Sequence, residues 1–269
     1  MRLFAFGLGF CARTLAELLQ QKGWEVQGTS KDVSLGLLTF NRDNPLLAED
    51  LLGTTHVLIS IPPDEKGDLV YDLALPLLRQ LPSLQWLGYL STTAVYGDHK
   101  GGRVTEETMV NPSLGRSQRR AQAEKLWLES GLPVHIFRLA GIYGKGRSAV
   151  ESLRQGKAHR IHKPGHVFSR IHVEDVANVL WASINRPNPG SIYNVCDDEA
   201  APQDEVILSA SKLLGIEPPP LIDFAEAELS PMAKSFYVDN KLVSNQKIKA
   251  ELGVKLIYPS YKEGLLNCI

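Results

Sequence analysis

Apolar positions along the chain follow two rhythms. Short apolar runs of strand length occupy residues 3–6, 25–29, 56–61, 85–90, 134–139 and 191–195, and residues 37–40 form a further short run. Between them the spacing is helical. Cys11, Ala12, Leu15, Ala16, Leu18 and Leu19 recur at three- and four-residue intervals, and Gly23 follows as a stop. The same period predicts helices over residues 64–81, 113–130 and 174–185. Pro76 should kink or shorten the first, and Gly131 should close the second.

Strand and helix in alternation imply a parallel sheet with helices on both faces, joined by right-handed crossovers. The expected fold is α/β, a Rossmann-type doubly wound sheet with a small C-terminal lobe. The expected division is a dinucleotide-binding domain from residues 1–145 plus 171–197, and a substrate-binding lobe from residues 146–170 plus 198–269. The tail reads as an extended Pro218-Pro219-Pro220, a short helix capped by Ser244 and ending near Gly253, and another starting at Pro259-Ser260. In such folds ligands bind beyond the carboxyl ends of the strands.

Composition narrows the function classes. The 269 residues carry a formal net charge of −1, so there is no global basic field for a nucleic-acid partner. No apolar run approaches the ~18 residues of a membrane span. Cys11, Cys196 and Cys268 are far apart, without a C-x-x-C pair, which speaks against a disulfide framework or a cysteine zinc site. A cytoplasmic protein with a small-molecule substrate, monomeric or homodimeric, is the expectation.

Gly7-Leu8-Gly9-Phe10-Cys11-Ala12 is G-x-G-x-x-A between the first strand and the first helix. The first glycine permits the tight turn and the second lets backbone approach a pyrophosphate. Ala12 is small enough for the third position. The amides of Phe10 and Cys11 open the helix, whose positive end suits phosphate. Some 20 residues on, an acid would bind the ribose of NAD. This chain has Ser30 and Lys31, a hydroxyl and a cation suited to a 2′-phosphate, with Asp32 one step further. NADP is therefore expected ahead of NAD, with NAD possible.

Further motifs follow in order. Leu90-Ser91-Thr92-Thr93-Ala94-Val95-Tyr96-Gly97 ends the fifth strand and Phe137-Arg138-Leu139-Ala140-Gly141-Ile142-Tyr143-Gly144 the sixth. Arg170-Ile171-His172-Val173-Glu174-Asp175 precedes a helix, and Ile192-Tyr193-Asn194-Val195 forms a late strand. Together they resemble the extended short-chain dehydrogenase/reductases, the NAD-dependent epimerase/dehydratase family. The phrase Val243-Ser244-Asn245, with Glu251-Leu252-Gly253, is similar to an atypical branch of it. The resemblance implies a cofactor path over Ser60, Ile61, Pro62, Thr92, Gly141 and Ile142. It also implies pairing of subunits through the helices after the fourth and fifth strands.

The family reaction uses a Ser/Thr, a Tyr and a Lys, the last two four residues apart on a helix. Thr92 matches the first. Aligning Leu114-Gly115-Arg116-Ser117-Gln118 with the family phrase Tyr-Gly-x-Ser-Lys puts Leu114 at the tyrosine and Gln118 at the lysine. Leucine transfers no proton, while Gln118 could hydrogen-bond a ribose. Tyr96, Tyr143, His99 or a water are the remaining proton donors. Tyr96 and Lys100 match the letters Y-x-x-x-K, but in a glycine-containing loop. The acid pair of the dehydratase branch is replaced by Thr93 and Ala94, and an expected Asn by Gly141.

The basic residues between Lys157 and Arg170 read as a lip for an anionic substrate, with Arg170 and His172 as substrate contacts. His159, His162 and His166 share no regular helix across Pro164-Gly165, and no metal is expected. Two readings stand: an NADP-dependent oxidoreductase or epimerase with a non-standard proton donor, and a dinucleotide-binding protein that senses redox state or a partner without turnover.

Overall fold

The computed structural model describes residues 1–31 and 37–269. In chain order, β1 (Arg2–Phe6), α1 (Phe10–Gln21), β2 (Glu25–Gly28), β3 (His56–Ile59), α2 (Leu69–Leu78) and β4 (Trp86–Thr92) are followed by the short β5 (Arg103–Val104) and α3 (Gly115–Leu128). Then come β6 (Val134–Leu139), β7 (Gly141–Tyr143), α4 (Ala149–Arg154), β8 (Arg160–His162), β9 (Arg170–His172), α5 (Val173–Asn185) and β10 (Ile192–Val195). The tail holds α6 (Gln203–Leu214), β11 (Leu221–Asp223), α7 (Pro231–Ser235), β12 (Leu242–Val243), α8 (Gln246–Leu252) and α9 (Tyr261–Leu266).

Six strands form one parallel sheet in the order β10-β6-β4-β3-β1-β2. Successive side chains of each strand enter opposite layers. Leu3, Ala5, Leu58, Trp86, Phe137 and Tyr193 pack with α1 and α5 on one face. Phe4, Phe6, Val57, Ile59, Tyr89 and Ile136 pack with α2 and α3 on the other. Burial on both faces explains why these strands read as continuous apolar runs. The two core tryptophans each find a buried acceptor. The indole of Trp86 donates to Ser183 (3.1 Å) and that of Trp127 to Asp68 (3.2 Å).

Local chemistry moves several expected boundaries. The run at residues 37–40 contributes a single parallel bridge, Thr29 to Leu38, beside β2. The helix expected from residue 64 begins at Leu69. Asp64 and Gly67 first close a turn with Gly67 at φ +117°, and Asp68 then caps α2 by accepting from the amides of Val70 and Tyr71. Pro76 sits near the end of α2 without stopping it. The tail divides between two bodies. Ile248, Leu252 and Val254 join the main core. Residues of α4, α6 and α9 instead form a separate cluster around Val150, Val206, Ile207, Tyr261 and Leu265. Ser260 opens α9 through a reciprocal capping box with Glu263, as the sequence suggests, whereas α8 starts after Asn245 without a side-chain cap.

Candidate functional site

The glycine turn lies at the carboxyl end of β1. Gly7 has φ +91°, and a Cβ there would stand 2.9 Å from Ile61. The turn is tied to the end of β2. Thr29 accepts from the amide of Gly7 through its hydroxyl (3.0 Å) and from that of Leu8 through its carbonyl (2.7 Å). A Cβ on Gly9 would meet nothing within 4 Å, so the space above the turn is open. No side chain caps α1 and no acid lies in its first turn, which leaves its first amides for an anion. The Cys11 side chain turns into the core, where burial pushes its thiol up to about 11. Arg147 reaches this end of α1 from the turn after β7, its guanidinium 5.7 Å from the Phe10 ring. Lys31 is exposed past β2, and Asp32 lies outside the described residues.

A cavity of about 1100 Å³ opens beyond the ends of β4 and β6. Pro62, Thr92, Gly141 and Ile142 line it on the sheet side, and residues of α4, α6, α7 and β12 line it opposite. Its charge is one-sided. Arg116, Arg120, Arg147, Lys157, Arg170 and Lys241 line it, against Asp239 as the acid among the described lining residues. Lys241 donates to the carbonyl of Gly97 (2.9 Å), and burial lowers its pKa.

The expected residues reach this cavity unevenly. Thr92 lines it from the end of β4, its hydroxyl accepting from the amide of Ala94 (3.2 Å). Tyr143 lines it too, but its hydroxyl lies under α9, 3.4 Å from the carbonyl of Ser260, and burial raises its pKa. Tyr96 is fully buried and does not line the cavity. Its hydroxyl donates to Asn194 (2.7 Å) and accepts from Arg138 (2.9 Å). Arg138 in turn is paired with Glu124 at 2.7 Å, and Ser91 also donates to Glu124. The geometry thus puts the Tyr96 hydroxyl in a structural network, and Lys100 is exposed in a loop at φ +51°.

Gln118 is exposed and away from the cavity. Because α3 begins at Gly115, the 100° step per residue carries Arg116 and Arg120 to the cavity side and Gln118 to the opposite side. Leu114, the residue that precedes α3 and the one aligned with the family tyrosine, lines the cavity, and a four-residue pair faces it from the helix itself, Arg116 and Arg120. The spacing of the two arginines was visible in the sequence.

Arg170 lines the cavity with its guanidinium already engaged. It donates to the carbonyls of Phe168 and Ala201 (2.8 Å each) and to Gln203 (3.1 Å). His172 does not line the cavity. It caps α5, its Nδ1 accepting from the amide of Glu174 (3.3 Å), beneath the ring of Tyr258. Within the basic stretch, Lys157 and His159 line the cavity. His162 instead pairs with Asp204 (3.1 Å), and Lys163 donates to the carbonyl of Tyr237 (2.6 Å). Among the described residues no group of three or more His, Cys, Asp or Glu gathers as a metal site. No helix among them is long and apolar enough to cross a membrane.

The sheet order, the glycine turn and the cavity at the strand ends give the chain the Rossmann-type fold seen in solved epimerase/dehydratase structures. No family model matches it. It belongs to the family of a functionally unknown conserved protein from Silicibacter pomeroyi DSS, whose solved structure is 47% identical, with 98% of this chain and 96% of that one covered and a TM-score of 0.91. Protein YeeZ of Escherichia coli K12 is 27% identical over 94% of each chain. The dTDP-glucose 4,6-dehydratase of Bacillus anthracis, solved in complex with NAD, shares the fold at 20% identity and a TM-score of 0.81, with 100% of this chain and 95% of that one covered.

Proposed function

We propose that the protein binds NADP or NAD across the glycine turn and acts as an oxidoreductase or epimerase-like protein on a small anionic molecule in the adjoining cavity. One observation carries the reading: a cavity whose described lining holds six cations and one acid opens at the strand ends, and Arg147 of that lining lies 5.7 Å from the Phe10 ring at the start of the uncapped α1. Gly7, Gly9 and the amides of Phe10 and Cys11 would receive the pyrophosphate. Ser30 and Lys31 would receive the adenine-side ribose and a 2′-phosphate. Ser60, Ile61, Pro62, Thr92, Gly141 and Ile142 would line the nicotinamide side. A bound dinucleotide would supply hydride transfer. The chain itself would orient the substrate through Thr92 and attract it through the cations, while the lobe excludes water.

The residues on α3 favour a second reading. Arginine cannot give up a proton under ordinary conditions, so Arg116 and Arg120 do not reproduce the tyrosine's chemistry. A dinucleotide-binding protein without turnover is the alternative. The deciding test follows NADPH and NADH oxidation with a panel of carboxylated and uncarboxylated carbonyl compounds and sugar nucleotides, using wild type and Thr92→Ala. Protein-dependent turnover reduced at least tenfold in the variant supports the enzyme. Dinucleotide binding with no turnover across the panel supports the second reading.

A further inference from the structure

We propose that the α3 wall of the cavity is a carboxylate-binding subsite, in which Arg116, Ser117 and Arg120 hold a substrate carboxylate near Thr92. The inference rests on the reading of the cavity as the substrate site and names what that site selects.

Three observations converge. Arg116 and Arg120 are one helical turn apart on α3 and both line the cavity, a spacing that puts them on one face of the helix. Ser117 lines the cavity between them. It is 1% exposed, and its hydroxyl has no hydrogen-bond partner. A buried hydroxyl without a partner is a standing cost, which an oxygen bound in the cavity would remove. The surroundings hold the arginines in place without neutralising them. Arg120 donates to the carbonyl of Leu90 and lies over the Tyr89 ring, 5.6 Å from its centroid. Arg116 lies 5.1 Å from the Phe236 centroid and 3.2 Å from the Met232 sulfur, a weak acceptor. Neither has a carboxylate partner among the described residues, although a guanidinium fork is matched to one.

The position sets the substrate chemistry. Thr92 ends β4, and Arg120 is anchored two residues earlier on the same strand, at Leu90. A carboxylate held here lies close to the group that Thr92 orients, as in a 2-oxo or 2-hydroxy acid or a uronate. The subsite binds and orients the carboxylate through the guanidinium forks.

Calorimetric titration tests this, with oxalate as a compact two-carboxylate probe and inorganic phosphate as the comparison. Both are added to NADPH-saturated protein and to protein without dinucleotide. Oxalate is expected to bind at one site. Arg116→Gln should weaken it about tenfold and Ser117→Ala severalfold, with Arg116→Lys recovering part of the loss. The variants' NADPH affinities should stay at wild-type values, and Ser117→Ala, which removes the unpartnered hydroxyl, should melt no lower than wild type. Absence of oxalate binding in both states, equal binding by Arg116→Gln and Ser117→Ala, or binding of phosphate without oxalate would each overturn the proposal. Oxalate binding that needs Arg116 in a protein that ignores NADPH would uphold the subsite and refute the dinucleotide reading.

Discussion

Replacing Tyr96 by phenylalanine separates a structural tyrosine from a reacting one. The substitution keeps the ring in place and removes one oxygen. That oxygen makes two buried hydrogen bonds, one donated to Asn194 at 2.7 Å and one accepted from the Arg138 guanidinium at 2.9 Å. Asn194 is fully buried and its Nδ2 has no partner, so its freed oxygen has no evident substitute. Arg138 keeps its bonds to Glu124 (2.7 and 3.2 Å), so the ion pair survives. One neutral and one charge-assisted bond lost in a buried site amount to about 3 kcal/mol. In a chain of this size that corresponds to a fall in Tm of about 6–12 °C. Thermal and urea unfolding read the loss, and calorimetry reads NADPH affinity, which should be unchanged in the folded variant. A variant as stable as wild type that has lost all turnover would refute the argument and place the hydroxyl in the reaction.

The remaining predictions concern the turn, the cofactor choice and pH. Gly7→Ala should cost about 1–2 kcal/mol of stability, because φ is +91° and Ile61 stands 2.9 Å from the new methyl; NADPH affinity should fall with it, as chemical denaturation and calorimetry would show. Lys31→Ala should weaken NADPH about tenfold while leaving NADH affinity within about twofold; equal losses for both would remove Lys31 from a 2′-phosphate site. Burial lowers the pKa of His135 to about 4, against 6.5 for an ordinary histidine. Between these values the unfolded chain takes up a proton that the folded one refuses, so this contribution is present above pH 6.5 and is lost as pH falls toward 4. His135→Gln, which can still accept from Asn188, should therefore close its stability gap to wild type as pH drops from 7 to 4.5 in urea unfolding. A gap independent of pH would contradict the cause given for the shift.

Much of the fold was legible because it is local. Continuous apolar strands, helical period and the glycine turn each act within a dozen residues, and they specified all six strands of the main sheet. What escaped was decided over longer distances or by competing patterns. The helix α6 has apolar positions at Val206, Ile207 and Ala210 and a stop at Gly215, but it follows the acidic Asp197-Asp198-Glu199, whose polarity reads as loop. The burial of Glu124 on α3 makes sense only once Arg138 arrives from β6. In the sequence, Arg170 and His172 read as substrate contacts, with His172 and Asp175 also read as bracing the turn into the helix that follows. The helix end that engages His172 is local and was open to sequence reading, whereas the carbonyl of Ala201 that engages Arg170 arrives from 31 residues away.

The central claim is that an uncapped helix and a glycine turn hold a dinucleotide beside a cationic cavity. Calorimetric titration of the protein with NADPH and with NADH tests it most directly. The account predicts one site per chain and tighter binding of NADPH. Tighter binding of NADH would overturn the 2′-phosphate assignment, and binding of neither would contradict the claim itself.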